Sequence, residues 1–407
     1  MSNANYNLKP LKKSLSLLRK GNKMKGNIQY SVLIVVILAI FADMLMYGLV
    51  VPFLPVHAES LGASQSEIGL LFSSYALSLF VATPFFGALA DKMGRKKLLV
   101  LGLMALAVTT LIYAFATSFW VLVLARLLQG FAAAIPWTAG LALLAEVFQK
   151  EERGKALGLA MSGQAGGVLL GPPIGGWLYE FGGYHFPFFV ATGIALIIAI
   201  LSLILLRKIP ETKAESFTSP FKILQNRNVF IIAGVAVIGA TVFASIEPTL
   251  PIHFNESLKI SPGAIGILFA VVTLGYGLTS PLIGSISTKI GHVKTIRIGI
   301  VMAAIVLPLN ALPTLIWLQV GTLVLLGITL GMILTPALPK LADISQESGA
   351  TSQGLTYAVY NTAYSFGMMA GPVVAGTLTD GFGLKIAYSA LGVLFILYLF
   401  PLAKLKS

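Results

Sequence analysis

Y-S-V-L-I-V-V-I-L-A-I-F-A-D-M-L-M-Y-G-L-V-V-P-F-L-P-V-H, residues 30–57, is an apolar run with a single carboxylate, Asp43, in its middle. As a helix rising ~1.5 Å per residue, such a run crosses a bilayer and carries Asp43 deep into the hydrocarbon. An acid at the centre of a membrane helix costs roughly 2.5–3.5 kcal/mol on insertion scales, so such residues face a bundle interior or a water-filled cavity and mark an ion, proton or substrate pathway. A protonated structural acid bonded to a neighbouring helix is the plainer alternative.

Composition agrees with the membrane assignment. Of 407 residues, 57% are hydrophobic, 11% are charged and 41 are glycine, too few polar groups to coat a soluble fold. With no cysteine, disulfides, thiolate metal sites and cysteine nucleophiles are excluded, and four scattered histidines do not suggest zinc, so no metal or cofactor is expected. The first 27 residues carry seven Lys or Arg and no acid. They read as a basic tail, with Leu8, Leu11, Leu15 and Leu18 at the spacing of an amphipathic helix on an anionic leaflet; a structureless tail is the alternative. No cleavable signal peptide is expected.

Twelve apolar runs follow, near 29–53, 67–90, 98–116, 119–146, 155–179, 186–206, 228–254, 263–287, 296–312, 315–339, 352–378 and 385–403. The expected organisation is a tail (1–27), a first six-helix bundle (28–206), a linker (207–227), a second bundle (228–403) and a short tail (404–407). Placing both termini in the cytoplasm leaves Lys259 and Lys385 on the outer side and Arg126 in the membrane, with every other basic residue inside. The net charge of +13 therefore reports topology in an inner cell membrane, not nucleic-acid binding.

The halves repeat. Pro52-Phe53-Leu54-Pro55-Val56-His57 returns as Pro248-Thr249-Leu250-Pro251-Ile252-His253, Ile68-Gly69-Leu70-Leu71-Phe72 as Ile265-Gly266-Ile267-Leu268-Phe269, and Gly171-Pro172-Pro173-Ile174-Gly175-Gly176 as Gly371-Pro372-Val373-Val374-Ala375-Gly376. Six helices separate the copies, so the repeat is parallel, with a pseudo-two-fold axis along the membrane normal and any site at the interface.

Three further stretches bear on function. G-A-L-A-D-K-M-G-R-K-K, 87–97, makes a tight basic loop; Asp91 and Arg95, with Glu146 and Arg153 from the next loop, form a candidate gate, solvated loop charges being the plainer reading. In L-A-R-L-L-Q-G, 124–130, the buried Arg126 needs a partner, and Asp43 or Glu247 is the candidate. A-S-I-E-P-T-L-P-I-H, 244–253, supplies that second acid beside two prolines. An aromatic-lined pocket for a cation is expected from Asp43, Tyr47, Phe243, Glu247, Tyr276 and the face bearing Tyr357, Asn361 and Tyr364.

The 87–97 loop, with its echo G-S-I-S-T-K-I-G-H-V-K at 284–294, resembles the cytoplasmic signature of the major facilitator superfamily. R-L-L-Q-G and S-G-Q-A-G-G-V-L-L-G-P-P-I-G-G, 162–176, resemble the signatures of its drug:proton antiporters. With V-V-P-F-L-P, L-L-F-S-S-Y, E-E-R-G-K-A-L-G and I-E-P-T-L-P-I, the chain resembles the vesicular monoamine transporters and their bacterial relatives. That resemblance implies an all-α membrane protein with the twelve-helix major facilitator fold, protons as the coupling ion, Asp43 and Glu247 carrying them, Arg126 as their partner and Tyr276 in the pocket. It departs from the vesicular pattern at Tyr75, Asn361 and Phe395, where that family carries charges. The expectation is a monomeric, non-enzymatic antiporter exporting aromatic monoamines and hydrophobic, often cationic, drugs. A facilitator or symporter for a neutral solute, or a transporter-like sensor, is the alternative.

Overall fold

The structure, a computed structural model, describes residues 8–207, 226–347 and 353–405; the side chains of 8–27, Asp91, Lys150, Glu151, 346–347 and 353–357 lie outside that description. The expected linker falls almost entirely outside it. Among the described residues the secondary structure is wholly helical: α1 (Leu8–Leu49), α2 (Leu54–Ser60), α3 (Gln65–Met93), α4 (Arg95–Ala114), α5 (Phe119–Ile135), α6 (Leu141–Val147), α7 (Lys150–Gly182), α8 (His185–Leu205), α9 (Arg227–His253), α10 (Pro262–Ile290), α11 (His292–Leu309), α12 (Ile316–Glu347), α13 (Gln353–Phe382), α14 (Leu384–Leu397) and α15 (Leu399–Leu402). A π-turn at Pro136–Gly140 joins α5 to α6 as one span, and α14 with α15 makes another.

Among the described residues, ten spans are long and apolar enough to cross a membrane by themselves. The other two, α7 and α13, are 33 and 30 residues long and rich in glycine. They make up the twelve spans of a multi-pass membrane protein. The boundaries follow the expected runs closely, with two extensions: α1 begins within the basic tail, and α12 continues to Glu347.

Local chemistry sets the ends. Ser64 caps α3 in a reciprocal box, accepting from Glu67 N at 3.3 Å while its own N donates to Glu67 Oε2 at 2.8 Å. Ser261 caps α10 in the same place of the second half, with Pro262 opening the helix. Both helices stop at a glycine, Gly94 (φ 90°) and Gly291 (φ 99°), a backbone that side-chain-bearing residues rarely adopt.

Glycine also brings backbones together. Gly163, Gly167, Gly171 and Gly175 of α7 recur every four residues against the carbonyls of Ile37, Phe41, Leu45 and Leu49, so any Cβ on that stripe would strike α1. Between the halves, Gly176 meets Pro262 O and Gly266 meets Pro172 O; two-fold-related to these, Gly376 meets Gln65 O and Gly69 meets Pro372 O. These α7–α10 and α13–α3 seams run along the face away from the chain termini, here called the distal face.

The seams carry matched polar contacts. Ser66 Oγ donates to Asp380 Oδ2 at 2.7 Å, and Gly263 N donates to Glu180 Oε1 at 2.8 Å. Each carboxylate thus sits at the N-terminus of a helix in the opposite bundle, where the helix dipole favours an anion.

Toward the terminal face the seams part. In α3, Ile68 to Ala76 are buried except Leu70, whereas Phe80, Val81, Thr83, Pro84 and Phe85 are exposed and the helix is held along the Ala82–Phe86 ridge. In α10, Gly277, Leu278, Pro281, Leu282, Ser285 and Ile286 are likewise exposed. The molecule is closed at the distal face and open at the terminal one.

Candidate functional site

Midway along the spans, six residues lock together. Asp43 is fully buried and accepts from Tyr75 Oη at 2.9 and 3.0 Å and from Trp137 Nε1 at 2.8 Å. Glu247, also buried, accepts from Tyr47 Oη at 2.5 Å. The two tyrosine rings lie 4.8 Å apart. Over both sits the guanidinium of Arg126, 4.6 Å from the Tyr47 centroid and 5.1 Å from that of Tyr75, with Phe72 at 5.2 Å.

Arg126 is fully buried, so its desolvation must be offset by its surroundings. The direct ion pair expected with Asp43 or Glu247 is not formed: among the described residues the salt bridge is Arg95–Glu146. Instead Nη1 donates to Gln129 Oε1 at 3.2 Å, and the flat cation rests on aromatic faces, which a guanidinium does better than an ammonium. Nε and Nη2 make no hydrogen bond of good geometry, nor does the buried Tyr113 hydroxyl. The positive charge reaches both acids electrostatically while a tyrosine stands between it and each one.

Helix 1 supplies Asp43 and Tyr47 one turn apart on a face turned into the bundle. Trp137 reaches Asp43 because Pro136, which has no N–H and whose ring crowds the preceding turn, opens the helix into a π-turn. Glu247 reaches across: it belongs to the second half and is bonded to a tyrosine of the first. A narrow crevice, with room for little more than a water molecule, adjoins this contact, lined by Tyr47, Gly48, Val168, Phe243, Glu247 and Phe269 among others. The crevice is too narrow to hold an amine in this conformation, but its lining, one carboxylate among several rings between the bundles, is the chemistry that recognises a small cation.

Of the other expected residues, Phe243 lines the crevice, and Tyr364 lies near Glu247, Tyr276 and Tyr47. Tyr360, absent from the expected set, stacks on Tyr364 with centroids 6.4 Å apart. Asn361 is exposed on α13 and joins neither carboxylate. The side chain of Tyr357 lies outside the described residues. At the expected gate, Arg95 Nη1 bonds Glu146 Oε2 at 3.0 Å and Ala142 O at 2.8 Å. Arg153 is exposed on α7, and the Asp91 side chain lies outside the description.

Sequence reading missed Trp137, Gln129 and Tyr113, and took Tyr75 only as a departure from a lysine. Pro136-Trp137 in mid-span was the available signal: a proline that breaks a membrane helix beside a side chain carrying a buried donor.

The sequence profile of the Major Facilitator Superfamily matches residues 36–252 and 229–406. The chain belongs to that superfamily. The chromaffin granule amine transporter of Rattus norvegicus is 29% identical over 84% of this chain and 66% of its own length. The synaptic vesicular amine transporter of Homo sapiens is 27% identical over 84% and 67%. The probable vesicular acetylcholine transporter-A of Danio rerio is 28% identical over 90% and 77%. The chain thus spans about two thirds of the length of the first two. Among solved structures, a bacterial homologue of the human lysosomal transporter Spinster, in an inward-facing and unoccupied conformation, superimposes with a TM-score of 0.76 at 14% identity, covering 93% of this chain and 97% of that one.

Proposed function

We propose that this transporter is a proton-coupled antiporter that exports small aromatic amines and hydrophobic, cationic drugs by alternating access. The observation that carries the reading is the pair of buried carboxyls, each bonded by a tyrosine, with Arg126 stacked on both tyrosine rings. Its relatives, named as amine and acetylcholine transporters, favour a cationic cargo. The excess of basic residues in the loops of the terminal face favours a cytoplasmic side for it, and on that reading this conformation opens inward.

An ammonium entering from the cytoplasm lies against the Phe243 and Phe269 rings and pairs with Glu247 as that carboxyl releases its proton. Tyr47 keeps its hydrogen bond to the carboxylate, and Arg126 holds a balancing charge nearby, so the site never contains two unopposed anions. Opening the distal seams then exposes the site outward; a proton returns to Glu247 and the amine leaves. Exchanging one proton for one monovalent amine moves no net charge, whereas a second proton on Asp43 couples export to the potential at ~2.3 kcal/mol per 100 mV.

The test is accumulation of a labelled monoamine or of ethidium in proteoliposomes, with and without an imposed pH gradient. Gradient-driven accumulation is expected, with Glu247→Gln impairing cationic substrates more than a neutral drug. Accumulation that ignores the gradient would indicate a facilitator and end the proposal; equal loss of both substrates would make Glu247 an obligatory coupling site rather than a cation-selecting one.

A further inference from the structure

The two acids of the site are not placed alike. Glu247 borders the crevice between the bundles. Asp43 does not; it is enclosed by its own bundle, both of its oxygens taken by Tyr75 and one of them also by Trp137. On the same helix as Asp43, Ile37, Phe41, Met44 and Leu45 pack against Gly163, Gly166 and Gly167 of α7. Around Asp43 the titratable and charged groups are therefore Tyr75 on α3 and Arg126 on α5, with Tyr47 and Tyr113 beside Arg126 and Glu247 beyond Tyr47.

We infer that Trp137 is a positioning residue that, with Tyr75, pins Asp43 inside the first bundle as a proton site kept apart from the amine. The inference rests on the proton-coupled reading above and divides the labour within it: Glu247 meets the cargo and Asp43 carries a proton only. Three features support this role. The indole N–H and the phenol O–H are neutral donors, able to hold the carboxyl in either protonation state without fixing it as an ion pair would. The indole is delivered by a π-turn, a helix distortion retained at functional positions because it costs regular hydrogen bonding. And Trp137 is partly buried against the core, which fixes its ring and hence the direction of its N–H.

The chain permits a direct measurement. It has four tryptophans, and the other three, Trp120, Trp177 and Trp317, are 65%, 53% and 82% exposed. Replacing those three with phenylalanine leaves Trp137 as sole fluorophore in a purified, lipid-reconstituted protein. Its emission is expected to titrate with pH, and the titration to vanish in Asp43→Asn. Trp137→Phe keeps the ring and removes the donor; since a hydrogen bond favouring the charged form is lost, the pH profile of transport should move by roughly one unit toward alkaline pH, with amine affinity changed less than two-fold. Tyr75→Phe is the second arm, should the tryptophan variant fold poorly, and its profile should move the same way.

Emission indifferent to pH, or a titration that survives Asp43→Asn, would overturn the inference, as would a loss of amine affinity equal to the loss of transport in both variants. A parent protein that moves amines without a proton gradient would instead break the underlying reading, while leaving the fluorescence titration to be judged separately.

Discussion

The two halves of this transporter pack the same way and are filled differently. Gly167 against Phe41 O and Leu45 N in the first half corresponds to Gly367 against Val237 O and Thr241 N in the second; Gly130 against Tyr75 O corresponds to Gly327 against Val272 O. Those contacts align Asp43 with Gly239, Tyr47 with Phe243, Tyr75 with Val272 and Arg126 with Leu323. At each of these four positions the first bundle is polar and the second apolar. Glu247, which the same offset sets opposite Val51, reverses the pattern, and it spends its hydrogen bond on the first bundle. The repeat therefore sets backbone approach, while the chemistry was written into one half and made dependent on the other through a single carboxyl. Under the proposed mechanism, such an asymmetry would make proton state in one bundle sensitive to where the other stands.

The sharpest break comes at the aligned pair Arg126 and Leu323, both essentially fully buried. Arg126→Leu leaves two acids without the cation between them, and removing one partner of a buried charge network costs ~3–5 kcal/mol. Proton-coupled transport should fall at least about 100-fold. Arg126→Lys should also lose most activity, because an ammonium cannot lie flat on three rings. Leu323→Ala, at the matching place, should cost ~2–5 kcal/mol in thermal stability and leave transport per folded molecule near normal. Transport assays paired with thermal melts decide it: if Leu323→Ala silences transport at full stability, the division between a wired bundle and a packed one is wrong.

A smaller effect is expected at Tyr47 and Phe243. Tyr47→Phe deletes the hydrogen bond that joins Glu247 to the first bundle; bonds to charged groups contribute ~1.5–3 kcal/mol, so coupled transport should drop roughly 10- to 100-fold. Phe243→Leu changes only one wall of the crevice and should weaken binding of aromatic amines by less than about 10-fold. Binding of a labelled amine, measured beside transport, separates the two. Equal effects would mean that Tyr47 serves as another pocket wall and not as the link between halves.

These residues also mark how far the sequence could be read. Twelve spans, the parallel repeat and the two intramembrane acids were legible because hydropathy, proline and glycine act locally and at fixed spacing. The Asp43 and Glu247 surroundings were legible only in part. Arg126 was expected to touch an acid, since a buried cation needs a partner; that stacked rings could stand in its place depends on how α1, α3 and α5 meet, which periodicity does not encode. Trp137 points at Asp43 only because a proline opened a π-turn, and one extra residue in a turn rotates everything after it. The matched carboxylates at the distal seam lie 314 and 83 residues from their partners, beyond any local pattern.

Those distal contacts give the gentlest and most symmetrical way to test the relation between halves. Asp380 caps α3 from the second bundle and Glu180 caps α10 from the first, so each half holds a helix end of the other. Both carboxylates are exposed, where water screens them, and an anion at a helix N-terminus contributes modestly there. Asp380→Asn and Glu180→Gln keep an oxygen that can accept a hydrogen bond but remove the charge. Each should shift the balance toward the distally open state by roughly two- to five-fold. Because the two sites lie in separate seams and share no partner, the double variant should multiply the single shifts. The absence of cysteine makes the measurement direct: Leu61→Cys and Phe382→Cys, both at exposed positions near the seam, take spectroscopic labels without background. Distance distributions between those labels report the open fraction. Amine affinity measured with the site held open to the cytoplasm should stay constant, since neither carboxylate touches the crevice. A double variant with the parent's open fraction would reduce the matched caps to surface decoration, and a shift from only one of them would show that the seams, unlike their backbones, are not equivalent.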